Sequence, residues 1–157
     1  MKKLSLFLSL LILSGCFGEN YSTGHPVTTL HIQNEAYQVE PIYIGWNSQA
    51  ETTNFKIEDE ASYFEKLEAI TVLSNETMKV TFADSKKDKG EYTDVEIEVI
   101  VKKEGISTKL YEESIMNSNL NESHLFQAPI EQGTYELEVK FISNGNYAEY
   151  MQKLIVQ

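Results

Sequence analysis

The chain has 157 residues, with 24 acidic and 13 basic side chains, a formal charge of -11 and one cysteine. Every basic residue is a lysine, so the sequence lacks both the positive excess that nucleic-acid backbones demand and the bidentate arginine fork for phosphate and carboxylate ligands. A single cysteine excludes an internal disulfide framework, and the length suits one domain with its own hydrophobic core.

In chain order, the first sixteen residues, MKKLSLFLSLLILSGC, come before any domain pattern. Lys2 and Lys3 are followed by an almost unbroken apolar run from Leu4 to Leu13, then by the small residues Ser14 and Gly15 and by Cys16. This is the layout of a secretory leader. Its apolar run is about ten residues long, half of what a helix needs to cross the roughly 30 Å hydrocarbon layer. The segment Leu13-Ser14-Gly15-Cys16 resembles the lipobox of bacterial lipoproteins. The resemblance implies that residues 1 to 15 are removed, that Cys16 carries a diacylglyceryl thioether, and that the mature protein is lipid-anchored on the extracytoplasmic side of a bacterial cell membrane. Loss of Lys2 and Lys3 takes the side-chain balance from -11 to -13, which argues against a polybasic contact with anionic lipid. Two acyl chains would make a lasting anchor, since one chain holds a protein to a bilayer only reversibly.

Residues 16 to 26 continue as FGENYSTGHP after the cysteine, with two glycines, a proline and little apolar area to bury, and read as a flexible tether. A single domain is expected over residues 27 to 157. Val27 to Gln33 alternates, with Thr28, Leu30 and Ile32 on one face. Tyr37 to Trp46 is rich in aromatic and β-branched residues, and Pro41 within it predicts two strand pieces, a bulge or an edge position. Phe55 and Ile57 suggest a short strand. Asp59 to Leu67 is the one helical pattern, with Asp59 as its cap and Tyr63, Phe64 and Leu67 at three-to-four spacing.

The two-residue period returns at Ile70, Val72, Met78, Val80 and Phe82, broken by a turn at Ser74-Asn75-Glu76. A charged loop over Ala83 to Tyr92 leads into Val95, Ile97, Val99 and Val101, which alternate with Glu96, Glu98 and Lys102. Lys103-Glu104-Gly105 predicts a hairpin into Ile106 to Glu112. Ser114 to Glu122 reads as irregular and asparagine-rich. Tyr135, Leu137, Val139 and Phe141 then alternate with Glu136, Glu138 and Lys140, and Ser143 to Asn146 turns the chain into a last strand whose inward face is interrupted by Gln152. Roughly seven to nine short strands and no recurring helix predict a mainly β protein, an antiparallel sandwich of two sheets. Pro129 to Tyr135, P-I-E-Q-G-T-Y, followed by an alternating strand and a terminal hairpin, resembles the closing part of immunoglobulin-like and fibronectin-like bacterial domains. That resemblance implies an immunoglobulin-like arrangement.

Chemistry-bearing motifs are few. The chain contains no glycine-rich nucleotide loop, no H-E-x-x-H and no G-x-S-x-G. Asp84, Asp88 and Glu91 are too interleaved with lysines 86, 87 and 89 to predict a calcium loop. His25, His31 and His124 are the only imidazoles and would have to be assembled from distant positions, so no zinc site is expected either. The pairs Glu96 with Glu98 and Glu136 with Glu138 belong to the polar faces of half-buried strands, although paired carboxylates also serve acid and base catalysis. Trp46 continues the inward face of Ile42 and Ile44, whereas Tyr43 points the other way. These features predict a non-enzymatic binding or accessory domain without a cofactor, presented to a cell-envelope protein or glycan, with Tyr43, Tyr147, Asn144 and Asn146 as the contact set. The alternatives are an extracytoplasmic carrier of a small ligand or metal, and an envelope hydrolase.

Overall fold

A computed structural model describes residues 23–86, 92–118, 120 and 122–157. Residues 1–22, with Cys16 among them, and Asp88 and Glu91 lie outside these residues. In chain order the strands are β1 (Pro26–Ile32), β2 (Glu35–Gln38), β3 (Glu40–Asn47) and β4 (Thr52–Lys56), then helix α1 (Glu60–Lys66) and β5 (Ala69–Val72). They continue with β6 (Thr77–Asp84), β7 (Tyr92–Lys103), β8 (Ile106–Ser118), β9 (His124–Gln127), β10 (Gly133–Ser143) and β11 (Asn146–Val156). A small sheet in the order β2-β1-β6-β9 packs on a large one in the order β4-β3-β11-β10-β7-β8, with β5 joining β11. All pairings are antiparallel except that of β5 with β11. The architecture is a β-sandwich.

Alternation builds the core, because a strand sends every second side chain to the same face. Leu30 and Val80 of the small sheet and Val99, Leu137, Val139 and Phe141 of the large one are fully buried. Trp46 joins them, edge-on to Tyr92 with ring centroids 5.9 Å apart. Pro41 works as anticipated. The run from Tyr37 to Trp46 divides between the two sheets, and opposite Glu149 and Tyr150 the partner strand carries one extra residue, Ile42, between Pro41 and Tyr43. Proline cannot donate to a ladder, so it sits where the ladder already breaks. Helix α1 is as expected: Asp59 accepts the Ser62 N–H at 3.0 Å. Lys153 anchors it to β11 by donating to the Glu65 carbonyl at 3.0 Å and resting 4.8 Å above the Phe64 ring.

Three expectations need correction. First, Ser114 to Ser118 is strand rather than irregular chain. Its backbone is satisfied by β7, and the pairing absorbs Leu110 as one extra residue between Lys109 and Tyr111. Below this bulge Ile106 and Thr108 share the face of Val101, and above it Tyr111, Glu113 and Ile115 share the face of Val99 and Ile97. Second, Glu138 is buried rather than on a wet face. It stands in mid-sheet between Ile100 and Met151, and Lys102 donates to its carboxylate. Third, Thr23 to Pro26 belong to the domain, not to a flexible tether. The indole N–H of Trp46 donates to the Thr23 carbonyl at 3.0 Å, the Tyr92 hydroxyl to the Gly24 carbonyl at 2.7 Å, and the Tyr150 hydroxyl to the Pro26 carbonyl.

Gln152 marks a seam. The first half of β11 pairs with β3 and the second half with β5, and the Gln152 amide donates to the Glu68 carbonyl at 2.7 Å where the two partners part. The described chain enters at the end of the sandwich that holds Asn47, Tyr92 and the Ser143–Asn146 turn. The opposite end holds the β7–β8 turn, Gly133 and the start of β6.

Candidate functional site

A wide cleft lies at that far end, between the lower half of β8 and the segment running from β9 to Glu131. It encloses about 980 Å³. Val101, Phe126, Ala128 and Tyr135 form a floor continuous with the core, while Ile106 and Leu125 stand on its rim. Ile106, Leu125 and Ile130 are 72%, 60% and 76% exposed, so large apolar side chains gather around one opening instead of being scattered singly. Two lysines line the cleft, and both are neutralised from within the domain. Lys103 lies 3.5 Å from Glu131, and Lys109 lies 2.7 Å from Glu98 and 2.9 Å from Glu112. The entire rim was missed in the sequence reading. Its signal is the break in alternation at Leu125-Phe126 and the isoleucines placed directly after a turn and a proline.

Above the bulge the same edge is closed. His124 is buried, with Nδ1 2.8 Å from the Glu113 carboxylate and 3.1 Å from the Tyr111 hydroxyl, and Tyr111 also donates to Glu113. The Tyr111 bond, followed by that of His124, holds the Glu113 carboxyl below the usual carboxylate range.

Of the predicted contact set, the structure brings Tyr43 and Tyr147 together on the outer face of the large sheet. Their ring centroids are 5.4 Å apart and their planes are inclined by 59°. Gly45 permits this: a Cβ there would lie 3.0 Å from the Tyr43 hydroxyl, so the ring lies over a residue without a side chain. Burial, and then the bond from its hydroxyl to Glu149 at 2.9 Å, pushes the Tyr147 phenol up. Asn144 and Asn146 serve their own chain. Asn144 takes φ +49° in the tight turn and donates to the Thr93 hydroxyl, while Asn146 accepts the Asn47 N–H at 2.7 Å.

The remaining candidate groups are dispersed. His25 pairs with Glu51 at 2.8 Å and His31 with the Thr81 hydroxyl at 2.8 Å, and among the described residues no three histidine, aspartate, glutamate or cysteine side chains converge as a metal site. Burial and hydrogen bonding to Glu138 push the Glu136 carboxyl up, while Lys102 reaches both acids. This trio lies on one sheet face, with Glu138 too enclosed to meet a substrate. Among the described residues no helix is long and apolar enough to cross a membrane. No protein-family model matches the chain, and comparison with curated proteins finds no match.

Proposed function

We propose that the protein is an extracytoplasmic, lipid-anchored binding or accessory protein of the bacterial cell envelope, whose sandwich engages a partner protein through the β8–β9 cleft. The observation that carries this reading is the cleft itself, where the apolar core is continuous with an opening ringed by Ile106, Leu125 and Ile130. Such a surface costs solubility, and a binding partner that covers it recovers the hydrophobic free energy. The leader and Cys16 support the location. The Tyr43–Tyr147 pair favours a second reading, in which this face stacks on a glycan, as paired aromatic rings do.

The anchor is tested by mass. Intact protein extracted from membranes is expected to begin at Cys16 and to carry the added mass of a diacylglyceryl group on that residue. Cys16→Ser removes the only thiol and is expected to leave the leader uncleaved or release the domain from the membrane fraction. A mature protein starting elsewhere with an unmodified cysteine would refute the anchor. Partner capture is tested by crosslinking in intact cells, with cleft variants and Tyr43→Ala compared side by side; turnover of an envelope substrate with no stable partner would refute the binding reading.

A further inference from the structure

The bordering strands show what the cleft can accept. Below the bulge β8 uses its backbone on one side only, pairing Ile106 with Lys103 and Thr108 with Val101. The opposite wall does the same. Beyond β9 it continues toward β6, with the Ala128 N–H donating to the Glu76 carbonyl at 2.8 Å and the Asn75 N–H to the Pro129 carbonyl at 3.3 Å. Among the described residues both cleft-side edges are therefore open as far as Ile130, beyond which the Tyr135 hydroxyl donates to the Glu131 carbonyl at 2.9 Å. Sheet edges are ordinarily blunted by bulges or inward charges, and β8 has both at and above Leu110, where Glu113 turns inward to His124. From Ile106 to Leu110 the one charge is Lys109, which is drawn to Glu98 and Glu112.

We propose that the cleft seats an extended polypeptide strand from another protein, which adds to the free edge of β8 over Ile106–Leu110 and places alternate apolar side chains on Val101, Phe126 and Tyr135. This deepens the binding reading above and rests on it. In effect the sandwich is one strand short at this corner, and an incoming strand supplies main-chain hydrogen bonds to the edge and side chains to the gap. Five residues of edge span roughly 17 Å.

Two observations select this occupant. The chain's own amino-terminal segment is held at the other end of the sandwich, where Thr23 is fixed. Seven residues from Cys16 to Thr23 reach at most about 25 Å, whereas the eleven residues of β10 extend about 36 Å. The backbone of a chain that begins at a lipidated Cys16 therefore ends short of the cleft. Charge favours the same occupant: Lys103 and Lys109 stand beside Glu131, Glu98 and Glu112, so among the described residues the cleft offers an anionic head group no unmatched lysine. A neutral backbone with apolar side chains fits that opening.

The test is selection of random nine-residue peptides by display against the purified full chain in detergent, with Ile106→Asp, Leu125→Asp and Tyr43→Ala variants in parallel. Both cleft residues are exposed, so the variants should match the parent in urea midpoint. Enriched peptides are expected to carry apolar residues at alternate positions and to bind at least tenfold more weakly to each aspartate variant, with Tyr43→Ala unchanged. N-methylation of one alternate set of backbone nitrogens should weaken binding at least tenfold while the other set is tolerated, and the amides of Ile106–Leu110 should gain hydrogen-exchange protection. The proposal is overturned if nothing is enriched over the aspartate variants, if dodecanoate fills the cleft instead, or if the chain self-associates there without taking peptides. Envelope partners captured equally by the aspartate variants would refute the strand and the cleft as the binding site, and leave standing only a binding role carried by another face. Peptide binding without any partner in cells would do the reverse.

Discussion

Leu137→Asp will leave the protein without a folded state at pH 7. Leu137 is fully buried in the middle of β10, between Val101 and Gln152 of the adjoining strands. An aspartate there would lie in the core with no cation to pair it, and burying an unpaired charge costs several kcal/mol. The lost leucine contacts and the space left behind add about 2–5 kcal/mol. Domains have only about 5–15 kcal/mol to lose. Val99→Asp, at an equally buried position in the neighbouring strand, should have the same effect. Circular dichroism and urea unfolding provide the measurement, and a midpoint equal to that of the parent for both variants would refute the assigned core.

Glu51→Ala should cost about 2–4 kcal/mol, and its cost should depend on pH. Burial alone would push the Glu51 carboxyl up. Hydrogen bonds from the Thr53 hydroxyl, the His25 N–H, the Ser85 hydroxyl and the His25 ring outweigh it and hold the group at about 2. Because the folded value lies below that of the unfolded chain, the contribution is complete above about pH 4.5 and is lost as pH falls toward 2. The gap between parent and variant should therefore be constant near neutrality and shrink across that acid window. A gap that does not change with pH would show that the four bonds do not select the ionised form. These bonds also fasten Gly24 to Pro26 against the start of the large sheet, so hydrogen exchange at His25 should accelerate in the variant.

Strands with one wet face were legible because the side-chain period is two: β7 and β10 follow the alternation of Val95 to Val101 and of Tyr135 to Phe141. The helix was legible from its cap. What escaped depends on partners distant in sequence. Glu138 alternates correctly yet is buried, because the width of the sheet and the reach of Lys102 enclose it. The inward turn of Glu113 follows from one extra residue at Leu110, and only the register of the pair reveals that bulge. Thr23 to Pro26 looked like tether because glycine and proline bury little, but their carbonyls are held by Trp46, Tyr92 and Tyr150 from three other strands. Of the predicted contacts, Tyr43 and Tyr147 meet through the empty space over Gly45, while the two asparagines are engaged in the turn they build. The cleft was hidden because it is a gap between elements, and only its rim leaves a local trace, at Ile106, Leu125 and Ile130.

Site-specific photo-crosslinking in living cells tests the central claim most directly. A photoreactive side chain at Leu125 or Ile106 should yield one discrete adduct with an envelope protein in the membrane fraction, whereas the same group at Lys56, on the far edge strand β4, should not. Adducts of equal yield from all three positions, or none from the cleft while the protein remains folded and membrane-bound, would contradict it.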